Sequence, residues 1–227
     1  MYKWLLFDLD GTLTNTEEGI TKCFQYALES LGVPCEDRKP LRKYIGPPLM
    51  ESFSDYFDRE GCINAIEKYR ERYETIGIKE CELFEGIPQM LKAAKESGKM
   101  TALATSKPEK FAKKVLEDFG IDRYIDIVSG ALDDSSTKTD VVKAALERAG
   151  IWEDRKELAL MVGDRKYDVE GAKACGIDTL GVYFGFAEAG ELEKAGAEYV
   201  LDTVKELEEF VTCDNAEALH KFRVGNN

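Results

Sequence analysis

Two aspartates separated by a single residue follow the first apolar run of the chain. Asp8 and Asp10 come directly after Trp4–Phe7, and Gly11 and Thr12 continue the sequence. An apolar run that meets turn formers predicts a buried strand ending here. Two carboxylates on the same side of a strand end repel each other. This arrangement is costly unless a cation lies nearby or the two groups have different chemical roles. One aspartate can attack an electrophile while the other acts as acid and base; the alternative is a plain strand-to-turn boundary.

Hydroxyl and cationic side chains follow two later predicted elements. Thr105 and Ser106 come after a predicted strand that ends at Ala104, where a hydroxyl can donate to a phosphate oxygen or cap the next helix. Lys138 opens a predicted helix, a position where the helix dipole disfavours a cation. This lysine can hold an anion beside a nucleophile, or it can be an ordinary solvated lysine.

A second pair of acids follows the strand predicted over residues 158–162. Asp164 lies at the strand end, and Asp168 is four residues further on, on the same side if a helix starts there. Hard carboxylate oxygens suit Mg²⁺, whereas the alternative is a helix-capping aspartate with a solvated partner. Acids, hydroxyl, lysine and acids therefore occur in this order at the ends of successive predicted elements, which is more specific than any one of them.

Strands alternate with helices through most of the chain, which predicts an α/β fold with a Rossmann-like, doubly wound parallel sheet. The predicted strands are residues 4–7, 100–105, 125–129, 158–162, 179–183 and 198–201, and the predicted helices are residues 16–31, 108–119, 139–149, 166–175 and 205–211. Thr16 is the expected cap of the first helix. Ligands bind at the carboxyl ends of the strands in such sheets, so the motifs above share one edge.

A block of helical pattern without strands interrupts this alternation. It spans Arg38 to Gly77, with breaks at Gly46–Pro48 and near Gly61. We interpret it as an inserted all-helical cap over the strand ends. The predicted division is a catalytic core of residues 1–14 and 82–213, a helical cap of residues 15–81, and a frayed tail of residues 214–227.

The cap is where substrate contacts are expected. Arg42, Tyr44 and Gly46 lie at the first break in the helical pattern, where they can reach a substrate anion or a ring. The alternative is a solvated hinge stretch.

Composition excludes several classes of function. The 227 residues carry a net charge of −13, which argues against a nucleic-acid partner and against an anionic membrane partner. No apolar run approaches the roughly 20 residues of a membrane span, so a cytoplasmic location is predicted. The six cysteines have no C-x-x-C spacing and are expected to be reduced. His220 is the single histidine, which leaves no Ser-His-Asp or Cys-His machinery.

At these motifs the chain resembles the haloacid-dehalogenase-like (HAD) hydrolase superfamily, over nearly all of its first 211 residues. Asp8–Leu13 match the first motif, Thr105 the second, Lys138 the third and Gly163–Asp168 the fourth. Within the superfamily the chain is most similar to phosphoglycolate-phosphatase-like proteins, with Tyr44–Leu49 standing where such proteins carry a cap loop. Two positions depart from the pattern: Ser106 stands where Asn is frequent, and Asn15 stands where an acid is frequent.

The resemblance implies a Mg²⁺-dependent phosphatase. Asp8 would attack phosphorus and form an aspartyl-phosphate, while Asp10 would protonate the leaving oxygen and later activate water. The implied Mg²⁺ ligands are Asp8, the backbone carbonyl of Asp10 and Asp164, with Asp168 supporting the site. Thr105, Ser106, Lys138 and backbone N–H groups after Asp8 would bind the phosphoryl group.

The implied substrates are small phosphate monoesters: phosphoglycolate, a sugar phosphate or a nucleoside monophosphate. Dehalogenases of the superfamily lack the second acid, so Asp10 argues against them. A sugar phosphomutase keeps both aspartates and is the alternative enzyme. A non-catalytic phospho-binding regulator is the alternative outside enzymes, although receiver-like regulators are shorter and lack a helical insertion. The sequence gives no indication of oligomeric state.

Overall fold

A six-stranded parallel sheet forms the centre of the molecule. The computed structural model describes residues 2–133, 136–213, 215 and 217–225. The strands of the sheet are β1 (Trp4–Phe7), β4 (Met100–Pro108), β5 (Ile127–Ala131), β6 (Ala159–Gly163), β7 (Asp178–Val182) and β8 (Tyr199–Leu201). Their order is β5-β4-β1-β6-β7-β8, and a separate two-stranded ladder joins β2 (Thr14–Asn15) to β3 (Glu82–Leu83).

Helices of the core cover both faces of this sheet, and further helices lie in the segment between β2 and β3. They are α1 (Glu17–Ser30), α2 (Leu49–Phe53), α3 (Arg59–Tyr73), α4 (Ile87–Glu96), α5 (Glu109–Asp118), α6 (Lys138–Arg148), α7 (Lys166–Ala174), α8 (Glu191–Ala195) and α9 (Val204–Thr212). Alternate residues of β1 face opposite sides, so Leu5 and Phe7 join the apolar core beneath α4, α5 and α9, and Leu6 joins the core beneath α6 and α7. The predicted Rossmann-like α/β fold is confirmed.

The segment between β2 and β3 is helical and contains α1, α2 and α3. Antiparallel pairing of Thr14 with Leu83 brings the two ends of this segment together. Its core is aromatic: the Phe24 ring stacks on Phe53 with centroids 4.0 Å apart and on Tyr44 at 4.7 Å. We call residues 16–81 the helical insertion. The domain boundaries given above stay a prediction.

Two local predictions are wrong. No helix breaks near Gly61, because its N–H donates to Asp58 Oδ1 at 2.9 Å in the first turn of α3, and the break lies before Asp58. The Thr16 side chain makes no capping hydrogen bond; Asn15 Oδ1 instead accepts from the Glu17 N–H at 3.2 Å.

The described part of the C-terminal segment, which was predicted to be a frayed tail, packs against the core. A short 3-10 helix spans Glu217–Phe222, and Leu219 and Phe222 are buried. The Phe222 ring packs on Phe210 of α9 with centroids 5.6 Å apart. Apolar side chains thus anchor a segment whose overall polarity suggested a solvated tail.

Among the described residues, no helix has the length and apolar character needed to cross a membrane. The cytoplasmic location stays a prediction.

Candidate active site

The register of the sheet brings the motif residues together. Phe7 of β1 pairs with Leu103 of β4 on one side and with Val162 of β6 on the other, so the three strands end at the same edge. The Asp8 N–H extends this pattern by donating to the Val162 carbonyl at 2.9 Å. Asp8 and Asp164 therefore follow neighbouring strand ends, and Thr105 lies beside them on β4, so the three residues share one edge of the sheet as predicted.

Lys138 is buried between two aspartates. Its Nζ lies 2.8 Å from Asp8 Oδ1 and 2.7 Å from Asp168 Oδ1, and it donates to the Ala104 carbonyl at 3.2 Å. Thr137 caps α6 through a reciprocal capping box, which fixes this first-turn lysine. Burial disfavours the ammonium, but Asp168 and Asp8 outweigh it and raise the pKa of Lys138. The alternative of a solvated surface lysine does not hold.

Three buried carboxylates form a cluster beside this lysine. Asp8, Asp164 and Asp168 offer oxygen atoms that all lie within 4.8 Å of one another. Asp164 is fixed by the Thr12 hydroxyl, which donates to Oδ1 at 3.0 Å, and by the Phe186 N–H, which donates to Oδ2 at 2.9 Å. Burial, followed by Asp168 and Asp8, raises the pKa of Asp164 well above its ordinary value.

A glycine makes this crowding possible. Gly11 has φ +92°, and a Cβ at this position would lie 2.1 Å from Asp164 Oδ2. Any other residue would therefore displace the Asp164 carboxylate and also strain the turn.

The donor set of the cluster fits Mg²⁺. The Lys138 ammonium contacts two of the three carboxylates, those of Asp8 and Asp168, so the cluster keeps two uncompensated negative charges when all three carboxylates are ionised. Buried like charges at this spacing are costly, and oxygen-only ligands are those that Mg²⁺ prefers. The Asp10 side chain is not part of this cluster, so any contribution from Asp10 would come from its backbone carbonyl.

Asp10 faces a second lysine, which the sequence analysis did not identify. Lys107 Nζ lies 2.9 Å from Asp10 Oδ2 and donates to the Tyr73 hydroxyl at 2.6 Å. Burial raises the pKa of Asp10, although Lys107 opposes this effect. The other Asp10 oxygen, Oδ1, is buried without a hydrogen-bond partner. The two aspartates of the first motif thus pair with different cations.

Lys107 lies two residues after Thr105 on β4, beyond the point where the sequence predicted the strand to end. Thr105 is buried, and its Oγ1 accepts from the Lys107 N–H at 3.3 Å. Ser106 lines the cavity described below together with Thr105. Side chains two residues apart on a strand point to the same face, so the spacing of Lys107 from Thr105 was the feature of the sequence that could have indicated Lys107 as a site residue.

A cavity of about 80 Å³ lies between the helical insertion and the strand ends. Its floor includes Asp8 and Asp10, and its walls are mainly aromatic and apolar. The wall residues are Ile20, Tyr44, Gly46, Pro47, Pro48, Leu49, Tyr69, Arg70, Tyr73, Lys107, Pro108 and Phe111. Tyr44 and Gly46 therefore lie where the sequence analysis placed them. Arg42 does not line the cavity; it is half exposed and pairs with Glu17 Oε1 at 3.3 Å.

A parallel α/β sheet with this set of carboxylates, lysines and hydroxyls at its strand ends defines an enzyme that processes anionic substrates. The chain belongs to the haloacid dehalogenase-like hydrolase family, whose model matches residues 5–182. This confirms the family indicated by the four motifs.

Three similar proteins extend this result. A 5'-nucleotidase of Pseudomonas aeruginosa is 39% identical over 195 residues, covering 84% of this chain and 87% of the relative. The tyrosine-protein kinase PtkA of Mycobacterium tuberculosis is 36% identical over 209 residues, covering 90% and 71%. A solved structure of a predicted phosphatase from Clostridium acetobutylicum has a TM-score of 0.88 and 41% identity, covering 93% and 98%. The chain is an enzyme of the phosphatase type.

Proposed function

We propose that the chain is a Mg²⁺-dependent phosphatase that hydrolyses a small phosphate monoester through a phosphate covalently bound to Asp8. The observation that carries the proposal is Lys138, which lies within 2.8 Å of both Asp8 and Asp168. A buried ammonium at this place offsets the repulsion between an anionic nucleophile and an anionic substrate.

In the first step a carboxylate oxygen of Asp8 attacks phosphorus, the bond from phosphorus to the leaving oxygen breaks, and Asp10 donates its proton to that oxygen. Burial favours this role because it raises the pKa of Asp10 and so favours the protonated acid. Lys138, Thr105 and Ser106 bind the phosphoryl oxygens.

In the second step Asp10 takes a proton from water, the water oxygen attacks phosphorus, and Asp8 leaves as a carboxylate. Inorganic phosphate is released and both aspartates return to their starting states. Asp8, Asp164 and the backbone carbonyl of Asp10 would hold Mg²⁺, with Asp168 in support. The ion supplies charge stabilisation for the transferring phosphoryl group.

Among the three substrate candidates, the cavity favours a nucleoside monophosphate. Tyr44, Tyr69, Tyr73 and Phe111 line it, and aromatic faces of this kind stack on planar rings. The name of the Pseudomonas aeruginosa relative agrees with this choice. Phosphoglycolate has no ring, and sugar phosphates have no planar aromatic ring to stack in this way.

The test is a panel of nucleoside monophosphates, hexose monophosphates and phosphoglycolate with Mg²⁺. We expect kcat/KM for the best nucleoside monophosphate to exceed that for phosphoglycolate by about 5- to 150-fold, from stacking worth about 1–3 kcal/mol. Phe111→Leu should reduce this preference while leaving phosphoglycolate turnover unchanged. A preference for phosphoglycolate would reject the nucleotide assignment.

The same assay separates a phosphatase from a sugar phosphomutase, since both would form the same phosphoenzyme. Labelled phosphate from a hexose monophosphate should appear as inorganic phosphate. Recovery of most of the label on another hydroxyl of the sugar would establish the mutase instead.

A further inference from the structure

Arg165 is a buried arginine that the proposed chemistry does not use. It follows Asp164, precedes α7, and donates its backbone N–H to Asp168 Oδ2 at 3.0 Å. Its side chain is only 8% exposed. A fully ionised group is costly to bury, so its partners indicate what the burial achieves.

The guanidinium joins the core to the helical insertion. It donates through one terminal nitrogen to the Ile45 carbonyl and, at 3.4 Å, to the Lys43 carbonyl. Both carbonyls belong to residues 43–48, which we call the cavity loop. On the core side, Arg165 Nε donates to Glu191 Oε1 at 2.9 Å.

Glu191 is itself held by main-chain donors of the core. The Lys166 N–H donates to its Oε1 at 2.8 Å, and the Glu188 N–H donates to its Oε2 at 3.1 Å. The Glu191 carboxylate therefore fixes one edge of the Arg165 guanidinium. Another edge of this planar, forked group faces the cavity loop. A lysine ammonium has no such fixed fork.

The cavity loop also lies directly against the Arg165 side chain. Gly46 has φ +107°, and a Cβ added there would lie 3.0 Å from Arg165 Cγ. Tyr44, Gly46, Pro47 and Pro48 of this loop form part of the wall above Asp8 and Asp10. A displacement of the loop from Arg165 would therefore open that wall.

We propose that Arg165 is a positioning residue that holds the cavity loop over the substrate cavity. Because Arg165 is the residue after Asp164 and bonds Asp168 through its main chain, closure of the wall depends on the conformation of the segment that carries these acids. The inference rests on the proposed function for its kinetic consequence, but the position of the loop can be measured without turnover.

The variant Arg165→Lys tests the proposal, because it keeps the positive charge near Glu191 and removes the fork. We expect KM to rise about tenfold with kcat changed much less, since hydrogen bonds to charged groups contribute about 1.5–3 kcal/mol. Amide hydrogen exchange across residues 41–53 should become faster in the absence of substrate. Glu191→Gln should give a smaller change in the same direction.

Arg155→Lys is the matched control, because the Arg155 side chain is 65% exposed and its Nε lies 3.8 Å from Asp154. It should leave KM and exchange unchanged.

Wild-type KM and exchange in both Arg165→Lys and Glu191→Gln would overturn the proposal. A loss of kcat with KM unchanged would also overturn it, because that result would indicate action through Asp168. If the wild type hydrolyses no phosphate ester, the proposed function fails, while the exchange comparison still decides the role of Arg165. Thermal melting identifies an unfolded variant, in which case Glu191→Gln decides.

Discussion

Lys107 Nζ lies 2.9 Å from Asp10 Oδ2, and the same ammonium donates to the hydroxyl of Tyr73 on α3 of the helical insertion. The candidate acid of the core is thus joined through one lysine to the helices that cover it. Lys138 has the corresponding relation to Asp8. Each aspartate of the first motif therefore has its own buried cation.

Replacing Lys107 by methionine should move the pH profile of kcat to higher pH. Lys107 lowers the pKa of Asp10 against the effect of burial, so its removal raises that pKa further. Ionised Asp10 is needed to activate water, and it would form only at higher pH. We expect kcat at neutral pH to fall by about 10–100-fold, which is less than the full contribution of about 100–10,000-fold from general acid–base catalysis because Asp10 itself is retained.

The control for this profile is Lys113→Met, since Lys113 is about half exposed and pairs with Glu109 one helical turn away. An unchanged profile in the Lys107 variant would show that Lys107 does not influence Asp10.

Lys138→Ala should lower kcat/KM by a factor that corresponds to about 2–4 kcal/mol of lost transition-state stabilisation, because one preorganised charge is removed from a buried site. Lys143→Ala serves as the control, because Lys143 lies on the same helix and its side chain is exposed. Steady-state kinetics on protein shown to be folded by circular dichroism provides the measurement. Wild-type kinetics in the Lys138 variant would contradict its role.

Removal of divalent metal should abolish turnover, and Mg²⁺ should restore it. Binding at one hundred times Kd contributes about 2.7 kcal/mol, so Tm should rise by roughly 5–10 °C over the metal-free protein. Asp164→Asn should remove most of this rise. Unchanged turnover after complete chelation would contradict the metal assignment.

The metal-free protein should also become more stable relative to Asp164→Asn as the pH falls below neutral. The folded pKa of Asp164 is raised above its ordinary value, so ionisation of Asp164 costs stability at high pH, and this cost disappears as the pH falls from the folded pKa towards the ordinary pKa of an aspartate. Unfolding by denaturant at several pH values, with chelator present, measures the difference. A difference that does not change with pH would show that Asp164 is not strained by its neighbours.

The sequence predicted the residues whose positions depend on local pattern and on one sheet rule. Asp8, Thr105 and Asp164 follow apolar strands, and parallel strands place their ends together. Lys107 was missed because its role depends on Tyr73, which lies 34 residues away on a helix whose docking no local pattern encodes. The contact from Arg165 to Ile45 spans 120 residues and needs a backbone carbonyl, which carries no sequence signal at all.

The helix start at Glu17 shows a different limit. Thr16 and Asn15 are both good cap formers, and the structure uses the Asn15 side chain. Propensity alone does not distinguish two adjacent cap candidates, because the side chain that accepts the hydrogen bond depends on the backbone conformation between β2 and α1.

The central claim is that Asp8 carries the phosphoryl group, and trapping that intermediate tests it most directly. The enzyme is mixed with a labelled phosphate ester and Mg²⁺, stopped in acid, and digested for mass spectrometry, with Asp8→Asn and the exposed-site variant Asp118→Asn beside the wild type. We predict a phosphorylated Asp8 in the wild type and in Asp118→Asn, and neither label nor turnover in Asp8→Asn, because an amide oxygen is too weak a nucleophile. Label on another residue, or turnover retained in Asp8→Asn, would contradict the account.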